Sequence, residues 1–140
     1  MHPDKQELQQ KLMVYQFLNQ QLEEMRKHAT IIQSRFIEIE ATRQAVQDLK
    51  NVKVGSEALM PLGSGLFMNG AVGKGDFLMD VGAGVMSEKS PAEVLEHLES
   101  RKIELEKAGE NLQNEMLGTA AKMSELGVEL EHAMNPALQK

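Results

Sequence analysis

Apolar side chains recur at alternating spacings of three and four residues in two segments of the chain, residues 8–50 and 91–134. This spacing is a heptad pattern, which aligns the apolar positions as one seam along a helix. Each seam needs a partner to bury it, and the other segment offers a seam of matching length. At roughly 1.5 Å per residue, each helix would extend about 60 Å. The pattern therefore predicts an antiparallel coiled coil of two long helices.

A few charged or small residues interrupt the two seams, which are otherwise apolar. The first seam comprises Leu8, Lys11, Tyr15, Leu18, Leu22, Met25, Ala29, Ile32, Phe36, Ile39, Arg43 and Val46. The second comprises Leu95, Leu98, Lys102, Leu105, Gly109, Leu112, Met116, Thr119, Met123, Leu126, Leu130 and Ala133. The second helix also carries clear end signals. Ser90 is a suitable N-cap, Pro91 suits the first helical position, and Glu93 completes a capping box, while Asn135 and Pro136 end the helix.

Glycine punctuates the stretch between the helices, where eight of the eleven glycines lie from Gly55 to Gly84. Apolar runs of strand length occupy residues 58–62, 66–72, 77–81 and 85–87, with turns expected at 63–65, 73–76 and 82–84. These runs predict two β-hairpins. Isolated hairpins are marginally stable and expose their edges, so we expect them to pair with strands of other subunits. The predicted chain is mainly α-helical with a small β module at 57–88, within one domain of residues 1–140.

Charge, cysteine content and hydropathy narrow the class of protein. A net charge of −6 argues against nucleic acid as a partner, because binding to a phosphate backbone depends on clustered Lys and Arg. The chain has no Cys, which excludes disulfides and cysteine metal sites. No secretory signal pattern is present, and no apolar run approaches the roughly 20 residues that span a bilayer. We therefore expect a soluble, cytoplasmic protein that does not bind membranes.

No pattern of residues indicates catalysis or a bound cofactor. A phosphate-binding loop around Lys74 would need glycine at position 68 and Ser or Thr at position 75, where Met68 and Gly75 stand. The four histidines never occur at helical i, i+3 or i+4 spacing, so no two can share a metal on one helix face. Glutamates of the second helix are typical of a charged outer face. We predict no enzyme, no cofactor and no metal.

Apolar residues outside the seam cluster near the start of the first helix. Antiparallel pairing would bring apolar residues from the end of the second helix to the same place. We call this predicted set the tip cluster: Leu12, Met13, Val14, Phe17, Val128, Met134 and Leu138. Exposed apolar clusters of this kind mark interaction surfaces, although individual residues could instead cover the seam or contact a neighbouring subunit.

Several segments resemble one family. These are EALMPLGSG at residues 57–65, Phe67, VGAGV at residues 81–85 and Glu88-Lys89, set between two long heptad helices. Together they resemble the alpha subunits of archaeal prefoldins over essentially the whole chain, and two hairpins resemble the alpha class rather than the beta class. Residues 69–75 depart from that pattern in being richer in glycine, which affects the expected strand ends.

This resemblance implies a hexamer of two alpha and four beta subunits, joined through a β-barrel built from the hairpins. It implies an ATP-independent chaperone that captures unfolded polypeptide at the coiled-coil tips and delivers it to a group II chaperonin. The tip cluster would then contact clients. Barrel assembly would use Leu59, Leu62, Phe67, Val72, Phe77, Val81 and Val85. The alternative is a structural coiled-coil adaptor or filament former with one dedicated partner.

Overall fold

Two long helices flank two antiparallel hairpins in the computed structural model, which describes residues 4–75 and 77–135. The elements are α1 (Lys5–Leu49), β1 (Glu57–Gly63), β2 (Leu66–Ala71), β3 (Phe77–Asp80), β4 (Met86–Lys89) and α2 (Pro91–Met134). Strand β1 pairs with β2, and β3 pairs with β4, as two separate sheets. The predicted fold class, mainly α with two β-hairpins between the helices, is confirmed. The chain divides into two compact units, unit 1 (Met1–Arg35 and Leu105–Lys140) and unit 2 (Phe36–Glu104).

The heptad seams are the buried surfaces of both helices. Every predicted seam position is buried or half-buried. In the described part of the chain, only four helix residues outside the seams are not exposed. These are Glu40 of α1 and Pro91, Val94 and Gly127 of α2. The three-four spacing therefore identified the buried stripe of each helix almost residue by residue, as amphipathic periodicity should.

Within unit 1, cross-helix neighbours run in opposite directions along α1 and α2. Lys11 Nζ lies 3.1 Å from Glu129 Oε2. A methyl group at Gly127 would lie 3.7 Å from Tyr15 Cε2, and one at Gly109 would lie 3.8 Å from Ile32 Cγ2. Numbers rise on one helix as they fall on the other, which confirms antiparallel pairing in this unit. Leu22, Thr119 and Leu130 are its most deeply buried residues.

Within unit 2, two basic seam residues reach carboxylates on the opposite helix. Lys102 Nζ lies 3.2 Å from Glu40 Oε1 and 5.7 Å from the centre of the Phe36 ring. Arg43 Nη1 lies 3.8 Å from Glu99 Oε2 and 3.9 Å from Glu40 Oε1. The long stems of Lys and Arg pack along the seam while their charged ends leave it. This explains how a heptad seam accommodates two cations.

The hairpin of β3 and β4 packs against the helices of unit 2 through one face. Phe77 and Met79 of β3 contact a buried cluster of Val46, Val94 and Leu98. Alternate residues of a strand point to opposite faces, so the residue between them, Leu78, faces away and is exposed. This cluster, which also includes Ile39 and Leu95, is the core of unit 2.

Glycine turns close both hairpins where they were predicted. Gly63, Ser64 and Gly65 all have positive φ, and the register between β1 and β2 shifts between Pro61 and Gly63. The second turn passes through Gly82, Ala83 and Gly84, also at positive φ. Glycine adopts this backbone region without the steric clash of a Cβ atom.

Strand ends differ from the predicted ones by one or two residues. The strand predicted at 85–87 is β4, Met86–Lys89, because Val85 instead closes the turn: its N–H donates to the Gly82 carbonyl at 3.0 Å. The strand predicted at 66–72 ends at Ala71, although the Val72 N–H still donates to the Ser56 carbonyl at 2.9 Å. Apolar composition does not distinguish a residue inside the ladder from one that closes it.

The start of α2 contains the predicted capping box. The Glu93 N–H donates to Ser90 Oγ at 3.2 Å, and the Ser90 N–H donates to Glu93 Oε1 at 3.3 Å. The hydrogen bond from the Ser90 backbone lowers the pKa of the Glu93 carboxyl from its usual value, and Lys89, with its Nζ 3.8 Å away, acts in the same direction. At the other end, α2 stops at Met134, and the predicted terminator Pro136 lies outside the described residues.

We predict that the cross-helix pair Lys102–Glu40 stabilises the chain more than an ion pair within one helix. A double-mutant cycle with Lys102→Gln and Glu40→Gln should give a coupling energy of about 1 kcal/mol, because both groups are partly shielded. The matched control is Lys27–Glu24, an exposed pair on α1 with a 3.3 Å separation, for which roughly 0.3 kcal/mol is expected. Equal coupling energies from thermal unfolding would contradict the assignment.

We also predict an acid-sensitive contribution from Glu93. A carboxyl whose pKa is lowered by folding stabilises the fold above its unfolded pKa and loses that contribution as pH falls through the folded pKa. Glu93→Gln keeps the capping hydrogen bonds but removes the charge. The variant should therefore melt below the parent at pH 7 and together with it at pH 2–3. The control is Glu96→Gln, which alters an exposed neighbour. A difference in melting temperature between Glu93→Gln and the parent that persists at acid pH would argue against this account.

Candidate binding surfaces

The helix α1 exposes apolar side chains around much of its circumference near its start in unit 1. Met13 is 68% exposed and Phe17 is 58% exposed, while Leu12 and Val14 are exposed to a lesser degree. None belongs to the seam, and four such residues fall within six positions. A helix of a globular protein normally confines its apolar residues to one stripe. This stretch of α1 therefore presents apolar surface that the coiled coil itself does not use.

The end of α2 adds to this surface. Val128 is exposed and stands next to Gly127 and Glu129, the residues that face Tyr15 and Lys11. Met134 is 76% exposed at the last helical position. The structure thus places the described members of the tip cluster at the same end of unit 1, where α1 begins and α2 ends. Leu138, the remaining predicted member, lies outside the described residues.

One cross-helix ion pair anchors the two helices beside this apolar surface. Lys11 Nζ contacts Glu129 Oε2 at 3.1 Å and Glu7 Oε1 at 3.6 Å. The hydrogen bond to the Glu129 carboxylate raises the pKa of the Lys11 ammonium, and Glu7 reinforces the effect. The ammonium stays charged at neutral pH. The start of α1 is therefore held to α2 even though most of its side chains contact solvent.

A shallow groove of about 570 Å³ runs along one flank of unit 1. Phe17 and Met25 of α1 and Leu112 of α2 supply its apolar lining. The polar lining residues are Gln20, Gln21, Glu24, His28 and Glu115. The groove adjoins the tip cluster because Phe17 belongs to both. Sequence patterns did not reveal it, since its walls come from two helices whose alignment is set only by their pairing.

The hairpin of β1 and β2 exposes apolar residues on both faces. Leu59 pairs with Asn69, and Pro61 pairs with Phe67, so these four residues share one face. Leu59 is 65% exposed and Phe67 is 61% exposed. Met60 and Met68 pair on the other face and are also exposed. An isolated two-stranded sheet is marginally stable in water unless further strands or a helix cover it.

The other predicted assembly residues divide into two groups. Leu62, Val81 and Val85 are exposed. Val72 and Phe77 are half-buried, and Phe77 packs within the core of unit 2. Exposed apolar residues of the hairpins that were not among the predicted assembly residues are Met60, Leu66, Met68, Leu78 and Met86.

A second hollow, of about 410 Å³, lies in unit 2 beside the end of α1. It is lined by Leu49, Val54, Val72 and Phe77 together with Lys50 and Lys74 among others.

Over residues 4–75 and 77–135, no group of three His, Asp or Glu side chains is arranged to hold a metal ion. No helix in the same ranges is long and apolar enough to cross a membrane.

Comparison with known proteins gives a consistent set of matches. A family model described as Prefoldin subunit matches residues 18–135, which include both hairpins and all of α2. Prefoldin subunit alpha 1 of Methanocaldococcus jannaschii is 29% identical over 133 residues, covering 95% of this chain and 92% of the relative. Prefoldin subunit alpha of Thermofilum pendens is 26% identical over 113 residues, covering 80% of this chain and 88% of the relative. A cryo-EM structure of filamentous PFD from M. jannaschii is similar in fold, with a TM-score of 0.73 at 21% identity, covering 82% of this chain and 96% of that one.

Proposed function

Because the chain belongs to the prefoldin family, we propose that this chaperone-type coiled-coil subunit acts in an ATP-independent holdase that captures unfolded polypeptide. The exposure of the described members of the tip cluster supports this proposal. Met13, Phe17 and Met134 present exposed apolar surface, and Met13 and Phe17 lie inside α1, where the helix itself pairs their backbone groups. Such a surface binds through side chains alone, which makes it tolerant of client sequence. The relatives of this chain are named prefoldin subunits. At the level of the family, these names support a role other than catalysis.

Family membership implies assembly with other prefoldin subunits, and the hairpins are the surfaces that we assign to it. We propose a hexamer of two such alpha subunits and four beta-class subunits, closed through a β-barrel. Assembly would cover the exposed residues Leu59, Leu62, Phe67, Val81 and Val85. The half-buried Val72 and Phe77 would support the hairpins from within unit 2. Several arms that each bind weakly would together hold one client by avidity. Delivery of that client to a group II chaperonin, in the cytoplasm, completes the proposed role.

A structural or filament-forming role is the second candidate. It is favoured by one observation, the similarity in fold to filamentous PFD. A filament would use the same hairpin surfaces but would leave the tip cluster without a general client. The mass of the assembly and its ability to hold unfolded proteins therefore separate the two candidates.

We predict that the tip cluster is needed for holding clients but not for assembly. The chain should be mixed with a beta-class prefoldin subunit, and the complex tested for suppression of aggregation of a chemically unfolded protein without ATP. Phe17→Ser combined with Met134→Ser should weaken client binding about tenfold, because each loss removes apolar contact surface. The matched control is Ile37→Ser, which alters an exposed apolar residue of α1 in unit 2. Equal suppression by both variants would refute the role of the tips.

We further predict that the hairpin of β1 and β2 drives assembly. Leu59→Ser combined with Phe67→Ser removes two apolar side chains from one face and should weaken association with beta subunits about 100-fold. Native mass measurement across a dilution series would show the complex dissociating at higher concentration than the parent. Ile37→Ser again serves as control. An unchanged dissociation midpoint for the double variant would mean that assembly uses another surface.

A further inference from the structure

The groove on unit 1 is lined by apolar residues and two carboxylates, with His28 but no Lys or Arg among its described lining residues. Phe17, Met25 and Leu112 form the apolar part. Glu24 and Glu115 are the only formally charged residues that line it, and each comes from a different helix. Its volume of about 570 Å³ lies within the range of clefts that bind small molecules.

The two carboxylates differ in whether a cation of the same chain already pairs with them. Glu24 Oε1 lies 3.3 Å from the Lys27 ammonium on the same helix, and both side chains are exposed. Glu115 has no ion pair within the described part of the chain. The Glu115 side of the groove therefore carries an uncompensated negative charge next to apolar surface. A cation brought there would gain a partner without displacing another one.

We infer that this groove binds client segments in which an apolar side chain is flanked by Lys or Arg. The inference rests on the proposed holdase function and specifies the class of segment that this part of the surface takes. The apolar side chain would contact Phe17, Met25 and Leu112, while the flanking cation would pair with Glu115. Lys and Arg suit this role because their apolar stems can lie along the lining while the charge reaches the rim. Segments flanked by Asp or Glu would be repelled. The groove would therefore select segments by their flanking charge and not by their exact sequence.

Peptide binding to the assembled complex tests this inference. Three fluorescent peptides share one apolar core and carry lysine, serine or glutamate flanks, and Kd is measured by fluorescence anisotropy at low salt. The lysine-flanked peptide should bind about threefold to tenfold more tightly than the serine-flanked one, and the glutamate-flanked peptide more weakly than both. Added salt should reduce these differences, because the carboxylates lie at the surface.

The substitution Glu115→Gln should reduce the lysine preference, measured as the ratio of Kd values for the serine-flanked and lysine-flanked peptides, about threefold. The matched control is Glu106→Gln. Nine residues separate positions 106 and 115, so at 3.6 residues per turn Glu106 lies about half a turn round α2 from Glu115 and outside the groove. This control should leave the ratio unchanged.

Four results would overturn the inference. Binding of all three peptides with equal Kd, or equal effects of Glu115→Gln and Glu106→Gln, would show that the groove does not select charge while leaving the holdase function intact. A change in the mass of the complex caused by Glu115→Gln would show that a neighbouring subunit occupies the groove. Failure of every peptide to bind would refute the groove proposal, and only a failure to suppress aggregation of an unfolded protein as well would refute the holdase function.

Discussion

Mutual burial of the two heptad seams is the interaction on which the rest of the structure depends. Each long helix buries its apolar stripe mainly against the stripe of the other helix. None of the described side chains is fully enclosed. Stability is therefore distributed over many half-buried contacts along α1 and α2. This arrangement also explains the basic residues in the seams. Lys11, Arg43 and Lys102 keep their stems in the seam and place their charges on Glu129, Glu99 and Glu40 of the opposite helix.

Many apolar residues outside the seams stay exposed, and they form two regions that differ in chemistry. The described members of the tip cluster in unit 1 lie on α1 and α2, whose interior backbone groups are paired within the helix, and the Met side chains adapt to varied surfaces. The hairpins of unit 2 offer apolar faces and open strand edges, whose N–H and C=O groups demand a partner in register. Adaptable contacts suit changing clients, and directional contacts suit a defined subunit.

Much of this architecture was predictable from local patterns in the chain. The three-four periodicity identified the buried stripes, the Ser90 to Glu93 motif identified the start of α2, and the glycine clusters at 63–65 and 82–84 identified the hairpin turns. The alignment of one helix against the other was not predictable. That alignment decides that Lys102 meets Glu40 and that Glu115 joins Phe17 in one groove. Strand ends were also beyond the pattern, because Val85 closes a turn by a hydrogen bond that apolar composition does not encode.

In the proposed function, the hairpins serve assembly and the tip cluster of unit 1 serves clients. Hydrogen exchange on the complex with beta-class subunits, measured with and without an unfolded client, tests this claim directly. Assembly alone should slow exchange at residues 57–89, and addition of the client should then slow exchange at residues 8–28 and 112–134 without further change in the hairpins. Client-induced protection confined to the hairpins, or none at the start of α1 and the end of α2, would contradict the account.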